Sequence, residues 1–194
     1  MKTIKIAAVL LLIAGVNFAQ TTWSIDKSHS KIGFSVTHMI ITETEGQFDN
    51  FDISVESKSD NNFEDAKINF SADVNSINTD NEKRDQHLKS DDFFNAEKFP
   101  KMTFIGKSFK KVSEKNYKLV GDLTIRDVTK SVTLDVKYNG TVKDPWGNTK
   151  AGFKISGVIN RFDYGLKWNA ALETGGLVVS EDVTININLE LNKK

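Results

Sequence analysis

The chain has no cysteine in its 194 residues. That excludes disulfide staples, thiolate metal sites and a thiol nucleophile, and it leaves stability to burial. An excess of one charge is missing too, since 26 Lys and Arg balance 26 Asp and Glu. Such a balance gives no electrostatic case for nucleic acid. The two prolines stand only at breaks, in Lys98-Phe99-Pro100 and Asp144-Pro145-Trp146-Gly147-Asn148. No stretch repeats with a period of about 20–50 residues, and no linker divides the chain. The three histidines, His29, His38 and His87, fall on different elements without the paired spacing of a zinc site. A Gly-x-Ser-x-Gly elbow is absent. Ser28-His29-Ser30 sets hydroxyls beside an imidazole, but neighbours on a strand point to opposite faces. Neither a metal site nor a serine hydrolase is indicated.

One long apolar run exists, Ile6 to Val16, preceded by Lys2 and Lys5 and followed by Ala19. Charge, length and small-residue exit are those of a secretory signal peptide over residues 1–19. Cleavage after Ala19 leaves Gln20 first, although Asn17 replaces the usual small residue at the −3 position. The run is short for a membrane span, and the lack of cysteine excludes lipoprotein processing. Loss of Lys2 and Lys5 leaves 24 basic against 26 acidic side chains. The expected location is exported, periplasmic or secreted, and the expected domain is a single one from Gln20 to Lys194.

Within that domain apolar and polar residues alternate with period two. The runs are Ile32 to Val36, Phe51 to Val55, Ile68 to Val74, Lys101 to Phe109, Tyr117 to Ile125, Val132 to Tyr138, Phe153 to Ile159 and Val183 to Leu191. Lys110 to Asn116 reads as a charged hairpin turn, and Arg126 to Lys130 as another. Eight one-faced antiparallel strands must close round a core as a barrel or sandwich. The thirteen phenylalanines of the chain, twelve of them after Ala19, and glycines on strand faces (Gly33, Gly121, Gly157) favour a barrel with room inside. The pattern fits a barrel holding one small ligand as well as one filled by its own side chains.

One stretch breaks the β pattern, Arg84-Asp85-Gln86-His87-Leu88-Lys89-Ser90-Asp91-Asp92-Phe93-Phe94. Thr79 and Glu82 have the spacing of a capping box, which predicts a short helix from about Asp80 to Lys89. Asp85 and Lys89 can pair on its outer face. Arg84, His87 and Leu88 share a face that could look towards the sheet, and Phe93 and Phe94 return to the core. Arg84 and Asp85 point apart, so each needs its own partner, either locking the helix to the barrel or serving the mouth. Asp91-Asp92 with Glu97 lacks the spacing of an EF-hand loop and reads as a solvated acidic turn.

Several motifs now occur in a familiar order. They are Trp23-Ser24-Ile25-Asp26 with Ser28-His29-Ser30, Ile32-Gly33-Phe34-Ser35-Val36, His38, and Gly46-Gln47-Phe48. Arg84-Asp85-Gln86-His87-Leu88 with Asp92-Phe93-Phe94 is the most specific, followed by Lys98-Phe99-Pro100 with Thr103-Phe104. Gly121-Asp122-Leu123-Thr124-Ile125-Arg126-Asp127-Val128-Thr129-Lys130 and Asn160-Arg161 with Asp163-Tyr164-Gly165 complete the set. Over nearly all of residues 20–194 the chain resembles the YceI-like family of exported, lipocalin-like lipid-binding proteins. Asp127 stands where that family usually has glycine.

The resemblance implies an all-β fold, an antiparallel eight-stranded lipocalin-like extended barrel with one short helical insert, hollow rather than filled. It implies a long isoprenoid or other fatty amphiphile as ligand, no catalytic residue and no cofactor beyond that lipid. A transient membrane contact and a homodimer are compatible with such a carrier. Candidate lumen residues, one face of each strand, are Phe34, Val36, Phe70, Phe104, Leu123, Phe153 and Ile155. Candidate anchors for a polar head at the mouth are His38, Arg84 and Arg161. Two rivals stand beside this reading. One is an enzyme acting on a bound lipid or quinone through His38 or His87. The other is a filled barrel whose outer face binds a partner.

Overall fold

The computed structural model describes residues 20–171 and 175–194; the expected signal peptide lies outside the described residues. One antiparallel sheet contains β1 (Thr21–Ile25), β2 (Lys31–His38), β3 (Thr42–Phe48), β4 (Phe51–Ser57), β5 (Lys67–Asp73), β6 (Ile77–Asn78), β7 (Lys101–Lys111), β8 (Asn116–Ile125), β9 (Val128–Lys143), β10 (Thr149–Asn160) and β11 (Val179–Lys193). Among the described residues one α-helix, α1 (Glu82–Lys89), lies between β6 and β7. β1 bonds β4 on one edge and β11 on the other, which closes the barrel. The ring has eight members because β1–β2, β3–β4 and β5–β6 are each one long strand broken by a corner.

The inward faces follow the period-two pattern. In β4, Phe51, Ile53, Val55 and Ser57 are buried while Asp52 and Ser54 are exposed. In β8, Tyr117, Leu119, Gly121, Leu123 and Ile125 are buried. The strands β1, β3 and β6 were not readable from this signal. β3 is Thr-Glu-Thr-Glu-Gly-Gln-Phe with almost no apolar alternation, and it is a strand because β2 supplies a seven-residue ladder from Ile32–Phe48 to His38–Thr42.

Each corner leaves backbone groups that side chains satisfy. Where β11 changes partner from β2 to β1, the N–H of Asp26 donates to the Glu190 carbonyl at 2.8 Å. The Glu190 N–H donates to the Ser30 hydroxyl at 2.9 Å. The Asp26 carboxylate takes the Ser28 N–H and hydroxyl. Lys150 from β10 then bridges Asp26 and Glu190 at 2.8 and 2.7 Å. At the second and third corners, Ser76 accepts from the Asn50 N–H and donates to the Asp73 carbonyl.

One end of the barrel is plugged. Trp23 is fully buried and donates its indole N–H to Ser57 at 2.8 Å. Phe63, from the loop after β4, packs against Trp23, Tyr138 and Phe153 with ring centroids 4.9–5.4 Å apart. At the other end β6 and β7 part, and the segment 79–100 with α1 lies over the gap. The N–H of Val74 donates to the Pro100 carbonyl at the point of divergence.

Several expectations need adjustment. The helix starts at Glu82 rather than about Asp80, because Asp80 takes φ +58° and Asn81 is the cap, accepting from the Arg84 N–H at 3.0 Å. Thr79 is therefore no capping-box residue; its hydroxyl donates to Asp85, which accordingly serves Thr79 rather than Lys89. The turn after β8 is only Arg126–Asp127, since Thr124 and Thr129 still pair. Its left-handed residue is Arg126 at φ +56°, so Asp127 in place of glycine meets no demand for positive φ. Gly121 and Gly157 do not leave open lumen either. The Phe104 ring and the Leu134 side chain occupy the space a Cβ would need there.

The Lys150 and Ser28 hydrogen bonds hold the Asp26 carboxyl well below the usual carboxylate range. The native state therefore gains stability from Asp26 that is complete above about pH 5 and is lost as pH falls below about 4. Asp26→Asn should lower the melting temperature at pH 7 and flatten its decline between pH 5 and 3. Parallel acid limbs in the two proteins would show that this corner does not set the acid sensitivity.

Candidate ligand-binding cavity

Inward side chains of period-two strands meet at a barrel axis only if they are large enough. Here they leave an apolar cavity of about 220 Å³, against the ~10–15 Å³ that one water needs. All seven lumen candidates, Phe34, Val36, Phe70, Phe104, Leu123, Phe153 and Ile155, line it. It reaches from Phe63 at the plugged end to Arg84 and Arg161 at the other. From Leu119 to Ile125 alone, β8 follows it for about 20 Å at ~3.3 Å per residue.

Among the described residues the cavity is sealed at one end and approaches the surface at the other. Val55, Phe63, Phe109 and Leu191 are buried at the plugged end. Val36, Thr44, Leu88 and Val183 are half-buried at the other, where Arg84 is exposed. The opening thus lies between the β2–β3 hairpin and the α1 segment.

Of the three anchor candidates, two border the cavity. Arg84 donates Nε to the Thr79 hydroxyl at 2.7 Å and Nη2 to the Thr79 carbonyl at 2.6 Å. Arg161 is buried, 4% exposed, with its guanidinium given to four carbonyls, those of Ser180, Leu166, Trp168 and Val179. It also lies over the Phe162 and Phe93 rings. Burial pushes its pKa down from the usual value, yet guanidinium stays charged. Arg161 therefore clamps the chain after β10 to the start of β11, and it places a cation in the cavity wall as it does so. Tyr164 in the same turn is buried with its hydroxyl unpaired, and burial pushes its pKa up to about 12.

The third, His38, does not border the cavity. It shares a face with Phe34 and Val36, but the face runs past the end of the cavity, and His38 pairs with Thr42 and Val179 at the rim without bordering it. The three histidines also stay apart. His29 sits by Asp26 at the first corner, and His87 bonds Asp92 at 2.9 Å between the Phe93 and Trp168 rings. Sequence reasoning missed Phe63, Thr44 and Thr79 as lining residues. Phe63 follows a polar turn and Thr79 precedes a helix, so neither belongs to an alternating run.

The cover is held from the barrel. Phe93 is buried and Phe94 meets Phe48 edge-on at 6.0 Å. Arg126, at the β8–β9 turn, donates to the Asp91 and Phe93 carbonyls at 3.3 and 3.2 Å and to the Asp91 carboxylate at 3.1 Å. Asp91 is thus the cover's latch to the sheet, and not merely a solvated turn residue.

With this geometry in hand, similarity to known proteins is informative. A family model for the YceI-like domain matches residues 23–191. The chain belongs to the YceI-like family. It is 42% identical over 173 residues to a UPF0312 protein of Staphylococcus aureus, covering 89% of this chain and 98% of that one. The YCEI protein of Campylobacter jejuni superposes with a TM-score of 0.70 at 33% identity, covering 88% of this chain and 96% of the other. A polyisoprenoid binding domain from Saccharophagus degradans shares the fold with a TM-score of 0.61 at 17% identity, covering 89% and 98%. The YceI-like barrel is the all-β, eight-stranded closed architecture expected from the sequence.

Arg126→Asn keeps a residue that tolerates positive φ and removes the guanidinium from the latch. It should cost up to about 1.5–3 kcal/mol in denaturant unfolding, the scale of hydrogen bonds to a charged group. Amide exchange should accelerate in residues 82–99 while the β8 and β9 amides stay protected. Equal acceleration in both regions would mean that Arg126 supports the sheet instead of the cover.

Proposed function

We propose that this YceI-like barrel is an exported carrier that holds one long-chain isoprenoid or fatty amphiphile in its lumen. The observation that carries the reading is the apolar cavity, which runs nearly the length of the barrel and opens at one end. Burial of a tail contributes roughly 0.8 kcal/mol per CH₂, so about ten buried carbons supply roughly 8 kcal/mol before ordering costs. No charged anchor is required for useful affinity. Arg84, with Thr44 and Thr79 beside it, is the proposed contact for the polar head at the opening. Arg161 is proposed to tune the wall for electron-rich groups of the tail or head while it clamps the backbone. The polyisoprenoid binding domain of Saccharophagus degradans, which has the same fold, supports the choice of an isoprenoid. The leader-like residues 1–19 support action outside the cytoplasm.

Native mass spectrometry of protein purified without detergent from the cells that make it, followed by organic extraction, tests the carrier. A stoichiometric adduct extracting as an isoprenoid or fatty amphiphile is expected. A clean apo mass with no uptake of such lipids would sink the reading. Ile187→Trp, at a half-buried lining position midway along β11, should reduce lipid occupancy at least tenfold with the β-rich circular dichroism unchanged. Normal occupancy in this folded variant would show that the lipid lies elsewhere.

A further inference from the structure

Apolar side chains exposed singly on a soluble protein need no explanation. Ile105, Val112 and Val158 are of that kind. Three consecutive ones at the tip of a hairpin are different. Met39, Ile40 and Ile41 between β2 and β3 are 41%, 67% and 84% exposed, and Leu177, whose neighbour Gly176 lies against Ile40, is 37% exposed. The turn is built at a conformational cost. Met39 and Ile40 take φ +51° and +67°, with the Ile41 N–H donating to the His38 carbonyl. Such a turn prefers Asn-Gly, and a β-branched residue at positive φ is an outlier. Folding therefore gains only partial burial and no backbone ease from Met39-Ile40 at this place.

The tip is also placed next to the opening. Val36 and Thr44 line the cavity and stand three residues before Met39 and three after Ile41, about 10 Å along each strand at ~3.3 Å per residue. We propose that Met39–Ile41, with Leu177, is a membrane-docking tip that inserts into the surface of an uncharged, zwitterionic bilayer and sets the barrel opening against the lipid. The proposal rests on the carrier reading for its purpose, though not for its geometry.

The chemistry of the surroundings selects the partner. The tip is convex and four residues wide, whereas a stable protein interface needs about 800 Å² and 20–30 residues per side. Insertion into lipid demands only a small apolar projection, as in interfacial anchors. Glu43 and Glu45 on β3 and Glu181 and Asp182 on β11 are exposed around it. Four carboxylates disfavour anionic headgroups and do not oppose zwitterionic ones. The other exposed apolar pair, Val142 and Trp146, lies at the β9–β10 turn by the plugged end, where no lipid could enter.

Flotation with phosphatidylcholine vesicles tests docking, and uptake of monomeric lipid delivered from ethanol tests carrying independently. The variant Met39→Asn with Ile40→Gly and Ile41→Ser should fold at least as stably, because its residues suit the turn. It should lose vesicle binding by tenfold or more, slow lipid pick-up from vesicles and leave uptake of monomeric lipid unchanged. Trp146→Ser should behave as the native protein. Vesicle binding by the tip variant equal to native would overturn the proposal. So would native binding that requires phosphatidylglycerol and vanishes in 0.5 M salt (screening on the order of a few Å), or a concentration-dependent dimer that the tip variant abolishes. Uptake of monomeric lipid without any vesicle binding would remove the docking tip and keep the carrier. Vesicle binding without uptake would do the reverse.

Discussion

The whole molecule depends on a five-residue strand bonded on both edges. β1 pairs with β4 through Thr21–Ser24 and with β11 through Trp23–Ile25. Without it the sheet would have open edges at β4 and β11, and unpaired edges invite association. Ring closure in turn forces a difficulty on β11, which must serve β2 along Val183–Asn188 and β1 along Leu191–Lys193. The change of partner strands the backbone of Glu190. The Asp26 N–H and the Ser30 hydroxyl resolve that local deficit, and Lys150 ties the Asp26 and Glu190 carboxylates together beside it. In a sequence the segment reads as a Ser-His pair; in the fold it lets a strand bend without leaving polar groups unpaired.

The cavity is a consequence of the same closure. A closed ring fixes how far apart the inner faces lie, and interior packing normally fills such a space. Trp23, Phe63, Tyr138 and Phe153 crowd one end. Towards the other end Phe34, Phe48 and Phe94 stand among the smaller Val36, Thr44, Val132, Val183 and Ile185. Closure at the crowded end yields a blind tube rather than a channel. The broken strands then supply the opening, because β6 ends after two residues and β7 does not follow it. A helix with no buried residue, tied by Arg126 and by two phenylalanines, covers that gap. Few buried contacts and an exposed surface are the attributes of a segment that opens before the rest of a structure.

Two arginines illustrate how position sets role. Arg84 and Arg161 both reach the cavity. Arg161 has surrendered most of its donors to carbonyls and is sealed under Phe162 and Phe93. Arg84 is exposed and, among the described residues, its guanidinium donates to Thr79. The same cation is a brace in one place and an exposed charge at an opening in the other.

Sequence by itself determined the class of fold, the inward faces and seven lining residues, because alternation is a local property that burial reads directly. It also determined that one helix interrupts the sheet and that its two phenylalanines return to the core. Tertiary structure alone decided the rest. β3 and β1 are strands only because neighbours offer them ladders, and His38 misses the cavity only because the barrel ends before it. Gly121 and Gly157 look like empty lumen in a sequence, yet Phe104 and Leu134 reach across from adjacent strands to fill them. Phe63 and Thr79 enter the site from loops, where no period marks them. These features depend on which strands lie side by side and on where the ring closes, and such distances in space have no signature in the order of residues.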